Sequence, residues 1–378
     1  MADDEPIPVT GAWRPGDDPG RRQFVTVFEE RPLALRAGAR LGPITVAYET
    51  WGVLAPGRDN AVLVCHALTG DTHAAGGVEP GHPMLGWWDA LIGPGRAIDT
   101  DRFFVVCPNV LGGCQGTTGP SSVDPATGRP FGSRFPVTTI RDQVDVEAAL
   151  GDALGIETWA CVVGGSMGGM RALEWTLKCP ERVPRAIVIA CGAAATAEEI
   201  ALCSLQIRAI ESDPHFNRGD YYDLVEGPWR GMSIARGIGQ VSYRSELEFQ
   251  QRFNRGHQND EHPFEGGLYT VESYLEYHGD KLARRFDANS YVNLSGAMNH
   301  HDVGRGRGGV VEALSRIGSE VTLAGITTDR LYPLRLQQEL ADHIPRNKGV
   351  EVVASISGHD AFLTEHERVG EIIANALA

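Results

Sequence analysis

Eight short runs of hydrophobic residues are spread along the chain, most of them rich in Val, Ile and Ala and without polar alternation. Continuous runs of this kind are typical of strands that are covered on both faces, as in a mostly parallel sheet. The predicted strands are residues 24–28, 44–48, 61–65, 103–107, 159–163, 186–191, 320–325 and 350–356.

Helical patterns lie between these runs. Thr139 is placed to cap a helix that ends near Gly155, and a second helix over 168–179 directly follows a predicted strand. Leu336, Leu340 and Ile344 mark one face of a third helix by their spacing of four residues. A fourth helix near the C-terminus is predicted to begin with a capping box formed by Thr364 and Glu367. The alternation of strands and helices predicts a doubly wound α/β core.

The alternation stops between residues 194 and 309, where the chain has amphipathic helical pieces and no convincing strand. Because strands resume at 320, we interpret 194–309 as a helical lid inserted into the α/β core, which then comprises 23–193 and 310–378. Residues 1–22 are rich in Gly, Pro and Asp and are predicted to form a flexible tail.

Composition and charge narrow the class of protein. Acidic residues exceed basic ones by 15 among 378, which argues against a nucleic-acid-binding protein. No apolar run approaches the roughly 18 residues that a membrane helix needs, so no membrane association is predicted. The N-terminus is acidic and lacks the basic and apolar regions of a secretory signal, so we expect a cytoplasmic protein.

The seven cysteines do not suggest a disulfide framework, since an odd number cannot be fully paired. Four of them lie in or beside the predicted strands and are interpreted as buried free thiols. No Cys or His pattern has zinc spacing, and the His300-His301-Asp302 cluster is interpreted as structural. We therefore predict no metal site.

The sharpest local motif is Gly-x-Ser-x-Gly at 164–168, with Ser166 at its centre. The bare pattern is weak, but here an apolar strand precedes it, a helix follows it and small residues surround the serine. A nucleophile elbow needs all three, because its serine occupies a strained and crowded turn. We interpret Ser166 as a nucleophile.

A serine nucleophile needs a general base, and that base needs an orienting carboxylate. In α/β-hydrolase folds the chain order is serine, acid, histidine, with the last two on loops after later strands. Asp329 follows the predicted strand 320–325 and His359 follows 350–356. They are the predicted acid and base of a catalytic triad.

An oxyanion hole should complete the site, with one N–H donor from Met167, directly after the nucleophile. The second donor should come from the loop after an early strand, and we assign it to the N–H of Leu68. His66, in the same loop, is interpreted as a structural residue that supports the loop.

Several longer motifs resemble the homoserine O-acetyltransferase family of methionine biosynthesis, and they occur in family order over nearly the whole chain after about residue 40. The resembling segments are 66–70 (HALTG), 109–120 (NVLGGCQGTTGP), 164–169 (GGSMGG), 242–244 (SYR), 301–308 (HDVGRGRG), 329–333 (DRLYP) and 358–363 (GHDAFL).

The resemblance implies an α/β-hydrolase fold with a helical lid, and a homodimer formed through that lid. It implies ping-pong transfer of an acetyl group from acetyl-CoA, as co-substrate, to the hydroxyl of L-homoserine, with no permanently bound cofactor. Ser166, His359 and Asp329 match the family's nucleophile, base and orienting acid. Arg236 resembles the arginine that binds the homoserine carboxylate, and Asp360 the acid that holds its amino group.

Alternatives remain at this level. The donor could be succinyl-CoA, and the acceptor could be a close hydroxy-amino acid such as serine. The chain could also be a carboxylester hydrolase, or a non-catalytic binding protein on the same fold. The last reading is the weakest, because the serine, acid and histidine of the triad are all present.

Overall fold

The computed structural model describes residues 6–259 and 262–378. Its centre is an eight-stranded sheet, in which each strand overlaps one of the eight predicted hydrophobic runs. The strands are β1 (Gln23–Val27), β2 (Ile44–Trp51), β3 (Ala61–Cys65), β4 (Phe104–Pro108), β5 (Cys161–Gly165), β6 (Arg185–Ile189), β7 (Glu320–Ile326) and β8 (Asn347–Val353).

The order of the strands across the sheet is β1-β2-β4-β3-β5-β6-β7-β8. The pairs from β4 to β8 are parallel, and only β1 with β2 and β2 with β4 are antiparallel. Every residue of β3 and β5 is buried, as expected for central strands that helices cover on both faces. The predicted α/β-hydrolase fold class, with its mostly parallel sheet, is therefore confirmed.

Helices cover the sheet and form the insertion. The helices outside the insertion are α1 (Ile140–Ala153), α2 (Met167–Lys178), α8 (Val310–Ser315), α9 (Leu334–His343), α10 (Ala361–Thr364) and α11 (His366–Leu377). The helices between β6 and β7 are α3 (Ala197–Glu211), α4 (Trp229–Tyr243), α5 (Glu246–Arg252), α6 (Thr270–Ala283) and α7 (Ala288–Asn299). Three further two-stranded ladders pair Leu33–Ala34 with Arg40–Leu41, Ile92–Gly93 with Ile98–Asp99, and Val123–Asp124 with Arg129–Pro130. Among the described residues, no helix is long and apolar enough to cross a membrane.

The predicted helix starts were partly right. Thr139 caps α1 through a capping box that it forms with Asp142. The predicted box of Thr364 and Glu367 is wrong, because α11 begins at His366 and Thr364 ends the preceding short helix. There the Thr364 hydroxyl donates to the Asp360 carbonyl oxygen, so it does not cap α11.

Part of the predicted flexible tail of 1–22 contacts the core, around Gly11 to Trp13, whereas residues 14–21 are exposed; residues 1–5 lie outside the described part. The Trp13 N–H donates to the Cys114 carbonyl at 2.9 Å, and the Trp13 ring stacks on Phe24. These contacts bury part of a segment whose Gly and Pro content had suggested mobility.

Two contacts fasten the lid to the rest of the molecule. The N–H of Gly11 donates to the Phe286 carbonyl at 3.2 Å, which ties the N-terminal segment to the turn between α6 and α7. Further along the same part of the lid, Arg307 forms an ion pair with Glu174 of α2, with one N–O distance of 2.9 Å. The lid is therefore held both from the N-terminal segment and from the core.

Candidate active site

Ser166 is the single residue that connects the end of β5 to the start of α2. Its backbone has φ 57° and ψ −126°, a strained conformation that aims the side chain out of a sharp turn. The crowding around this turn explains the glycine at 168, since a Cβ there would lie 2.0 Å from the Cys65 carbonyl oxygen. The local geometry is that of a nucleophile elbow.

His359 and Asp329 lie on the loops that follow β8 and β7, as their sequence positions predict. The Nδ1 atom of His359 is 2.7 Å from Oδ2 of Asp329, and both side chains are buried. The other carboxylate oxygen of Asp329 accepts the N–H groups of Leu331 and Tyr332, each at 2.8 Å. Asp329 is thus fixed by its own loop and in turn fixes the imidazole.

The electrostatic setting of His359 favours its protonated form. Burial lowers the pKa of His359, but the carboxylates of Asp329, Asp360 and Glu199, with Asp329 foremost, together raise it more, so that the pKa lies above its ordinary value. Tyr332 and Phe362 pack around the imidazole, with ring centroids 5.0 and 5.5 Å away. The ring is therefore held in one orientation by contacts on several sides.

One cavity brings five of the predicted site residues together, although they are distant in sequence. These residues are Leu68, Ser166, Arg236, His359 and Asp360. Of the other two, Asp329 lies behind the imidazole of His359, and the fully buried Met167 begins α2. The lining thus combines a serine hydroxyl, an imidazole, a guanidinium and a carboxylate around one cavity.

The predicted oxyanion donors lie at the two positions that the fold suggests. Met167 is the first residue of α2, where backbone N–H groups lack partners within the helix. Leu68 is on the loop after β3. Both elements border the nucleophile, so their N–H groups are the candidates to bind a developing oxyanion.

His66 supports this loop from behind. Its Nε2 atom accepts the N–H of Val110 at 3.0 Å, and its Nδ1 atom lies 2.7 Å from the Ala67 carbonyl oxygen. Burial, aided by the charge of nearby Arg171, lowers the pKa of His66 to about 3. The imidazole is neutral and tied to the backbone, as a structural role requires.

Arg171, on α2, is a fully buried guanidinium that reaches the same loop. It donates to the His66 carbonyl oxygen and to Glu147 of α1. The second oxygen of Glu147 accepts the indole N–H of Trp175 at 2.8 Å. This buried network therefore links α1 and α2 to the loop that carries Leu68.

Arg236 and Asp360, the predicted substrate-binding pair, have different surroundings. The Arg236 guanidinium lies 5.6 Å from the ring centre of Tyr243, and the side-chain oxygen of Gln240, oriented toward it, accepts at 2.7 Å. Asp360 already has a cationic partner, since its Oδ2 is 3.1 Å from Nε of Arg244. Arg236 therefore has no carboxylate partner among the described residues, whereas Asp360 is partly neutralised.

Glu199 is a cavity residue that the sequence did not single out. It lies in the first turn of α3, where one carboxylate oxygen accepts the Thr196 N–H at 2.9 Å. The other oxygen is buried without a hydrogen-bond partner, and burial raises the pKa of Glu199 to about 7. The Thr-x-x-Glu spacing could have identified the helix cap, but nothing in it indicates that the carboxylate faces the nucleophile.

A second buried cluster joins Glu49, His73 and His82, groups that also bind metals. His73, however, uses both ring nitrogens: Nδ1 lies 3.2 Å from Glu49 and Nε2 lies 3.1 Å from the Gly77 carbonyl oxygen. Burial lowers the pKa of His73, but Glu49 raises it more, so the pair is a buried ion pair. We assign this cluster a structural role.

The His300-His301-Asp302 segment is also structural. The Nε2 atom of His301 is 3.1 Å from the Gly192 carbonyl oxygen, which joins the end of α7 to the loop after β6. Burial lowers the pKa of His301, so the ring is neutral in this position.

Comparisons with known proteins agree with this geometry. The sequence profile of the α/β-hydrolase fold family matches residues 60–366. A homoserine O-acetyltransferase of Thermobifida fusca (strain YX) is 57% identical over 374 residues, covering 99% of this chain and 98% of that protein.

Two solved structures match the fold equally well. One is a homoserine O-acetyltransferase from Bacillus anthracis, with a TM-score of 0.86, 28% identity, and coverage of 94% of this chain and 97% of the other. The second is esterase E22, also with a TM-score of 0.86 and 28% identity, covering 94% and 99%. The structural likeness alone does not separate transferase from esterase, but the sequence identity does. The chain belongs to the homoserine O-acetyltransferase family of the α/β-hydrolase fold.

Proposed function

We propose that this protein transfers the acetyl group of acetyl-CoA to the hydroxyl of L-homoserine, giving O-acetyl-L-homoserine and CoA in methionine biosynthesis. The observation that carries the proposal is the meeting of Ser166, His359, Arg236 and Asp360 in one cavity of a chain of this family. Nucleophile and base are both side chains, so the reaction needs no resident cofactor, and acetyl-CoA is a co-substrate.

In the first half-reaction His359 takes the hydroxyl proton of Ser166, whose Oγ attacks the thioester carbon. The N–H groups of Leu68 and Met167 bind the oxyanion of the tetrahedral intermediate. The carbon–sulfur bond then breaks, and the CoA thiolate leaves with the proton held by His359. Asp329 keeps the imidazole oriented and stabilises its charged form. An acetyl-serine ester is left on the enzyme.

In the second half-reaction homoserine enters and His359 removes its hydroxyl proton. The alkoxide attacks the acetyl carbon, and Ser166 recovers its proton as the ester bond to the enzyme breaks. The planar guanidinium of Arg236 suits the homoserine carboxylate. One oxygen of Asp360 faces Arg244, and in this proposal the other oxygen accepts from the homoserine ammonium group.

The lid supports transfer over hydrolysis, because an acyl-enzyme that meets water would lose its acetyl group to hydrolysis. Helices α3 and α4 supply much of the cavity wall, including Glu199, Gln206 and Arg236. The similarity to esterase E22 makes ester hydrolysis the second candidate activity. A closed cavity with a guanidinium inside favours an amino-acid acceptor over water.

We further propose a homodimer formed through the lid. Helix α4 carries Ile234, Ile238 and Val241 along one face, and Ile234 and Val241 are 59% and 43% exposed. A groove lined by these residues adjoins the active-site cavity, with which it shares Leu202 and Ser242. An exposed apolar face of this kind is typical of protein–protein contacts.

The proposed activity is tested with a matrix of acyl donors and acceptors, in which free CoA, O-acyl product and free acetate are all measured. We expect CoA release from acetyl-CoA that depends on homoserine and yields little acetate. The Ser166→Ala variant should lose at least about 10⁴-fold in kcat, because its nucleophile is missing. Acetate release that does not depend on homoserine would instead establish an esterase.

A further inference from the structure

The active-site cavity contains a carboxylate for which the proposed chemistry gives no task. Glu199 is only 3% exposed and lines the cavity beside the nucleophile and base. Its Oε1 atom is buried without a hydrogen-bond partner, although a buried carboxylate oxygen is costly to leave unpaired. This oxygen therefore affects which chemical groups can bind in the cavity.

The two carboxylates that line the cavity, Asp360 and Glu199, differ in whether a cationic side chain pairs with them. Asp360 forms an ion pair with Arg244, whereas Glu199 forms none within the described part of the chain. The other oxygen of Glu199 accepts only the backbone N–H of Thr196. Glu199 is thus the cavity carboxylate without an ion-pair partner among the described residues. Burial raises its pKa to about 7, so it carries a full negative charge above that pH.

The acyl group on Ser166 has to fit in this cavity. An acetyl group ends in a neutral methyl, so it meets no electrostatic opposition there. A succinyl group ends in a second carboxylate, which would be enclosed in the same cavity as Glu199. Two like charges in a poorly solvated space repel strongly, and each has also lost its hydration.

We propose that Glu199 is a specificity-determining residue that excludes anionic acyl groups and so selects acetyl-CoA over succinyl-CoA as the donor. This inference rests on the proposed function, because it concerns the acyl group that Ser166 accepts. The residue acts by repulsion against the wrong donor rather than by attraction of the right one. It does not touch the reacting atoms.

Charge must be separated from size in the test, since a succinyl group is also longer than an acetyl group. Butyryl-CoA provides the comparison, because its acyl chain has the same number of carbons as succinyl-CoA and no charge. The kcat/KM for CoA release with homoserine as acceptor is measured for acetyl-, butyryl- and succinyl-CoA at a pH above the pKa of Glu199, which is about 7. The wild-type protein should prefer butyryl-CoA over succinyl-CoA by about tenfold or more.

The Glu199→Gln variant removes the charge and keeps an oxygen that can accept the Thr196 N–H, so the helix cap is retained. We expect it to raise the ratio of succinyl-CoA to butyryl-CoA kcat/KM by about tenfold. This ratio is measured within one variant, so a general loss of activity cancels. Glu198→Gln is the matched control, because Glu198 is the exposed neighbour on the same helical turn and should leave the ratio unchanged.

Three results would overturn the inference. Equal use of butyryl-CoA and succinyl-CoA by the wild type would show that charge is not discriminated, for example because Arg236 binds the succinyl carboxylate. An unchanged ratio in Glu199→Gln, with homoserine acetylation intact in the wild type, would refute the role proposed for Glu199. It would leave the proposed function unaffected. No homoserine-dependent CoA release from acetyl-CoA by the wild type would overturn both.

Discussion

Arg171 and Glu147 form an ion pair at 2.5 Å in the interior, where neither side chain has more than slight contact with solvent. Removing one partner would leave the other as a buried, uncompensated charge. The pair also borders the loop of Leu68, because Arg171 donates to the carbonyl oxygen of His66. The stability of the core and the position of the loop that carries Leu68 are therefore coupled through Arg171.

Replacing Glu147 by Ala should destabilise the protein by about 3–5 kcal/mol, since Arg171 loses its counter-ion in the core. Urea denaturation measures the change in the free energy of unfolding. The matched control is Glu157→Ala, at an exposed position just after α1, which should change stability by no more than about 0.5 kcal/mol. Equal effects of the two substitutions would contradict the assignment.

Replacing Asp329 by Asn should lower kcat by about 10⁴-fold, because the imidazole loses the carboxylate that orients it and stabilises its charge. His359 must be neutral to accept a proton, so activity rises with pH through its pKa. Asp329 holds that pKa above its ordinary value. The acidic limb of the residual pH–rate profile should therefore move to lower pH in the variant.

The control for this experiment is Asp342→Asn, because Asp342 is an exposed carboxylate on α9. This substitution should leave both kcat and the pH profile unchanged. An acidic limb that stays where it is in Asp329→Asn would show that Asp329 does not set the pKa of His359.

Glu199 should make the free energy of unfolding depend on pH. The charged groups that act on its pKa besides burial are His359, Asp329 and Arg335. Burial raises the pKa of Glu199 from 4.5 to about 7, so the folded state binds a proton more tightly than the unfolded state does. Stability contributed by this group is present below the unfolded pKa and is lost as pH rises toward 7.

Glu199→Gln should remove this loss, which is on the order of 3 kcal/mol at pH 8. Urea denaturation of both proteins at pH 5 and pH 8 tests it, and the variant should gain relative to the wild type only at the higher pH. A gain of the same size at both pH values would indicate a change in packing and refute the titration argument.

Ile234→Glu should convert the proposed homodimer into monomers, because it places a charge in the middle of the exposed apolar face of α4. Analytical ultracentrifugation at several protein concentrations measures the change. The control is Val53→Glu, at a position 80% exposed after β2, which should leave the assembly intact. A monomeric wild type, or a dimeric Ile234→Glu variant, would contradict the proposed interface.

The sheet could be predicted from the sequence, as could the loops on which Asp329 and His359 meet, for a physical reason. Strands such as β3 and β5 are buried on both faces, so their apolar runs are continuous and visible without any tertiary information. Asp329 and His359 were identified because the ends of parallel strands gather at one edge of the sheet. Both inferences depend on local pattern and chain order alone.

Other features depend on contacts that local pattern does not contain. The N-terminal segment was predicted to be flexible, because its composition gives no hint that Trp13 packs on Phe24. Thr364 has the spacing of a cap, yet its hydroxyl is used within the preceding short helix. The placement of Glu199 in the cavity follows from the packing of α3 against α4 and α7. Such errors mark where tertiary structure overrides local preference.

The fastening of the lid has a consequence for how molecules enter and leave. The hydrogen bond from Gly11 to Phe286 and the ion pair of Arg307 with Glu174 both hold the last part of the insertion, from the turn before α7 to Arg307. Helices α3 and α4, which line the cavity, are not held by either contact. We therefore expect any opening of the cavity to be a movement of α3 and α4, while the segment after α6 stays in place.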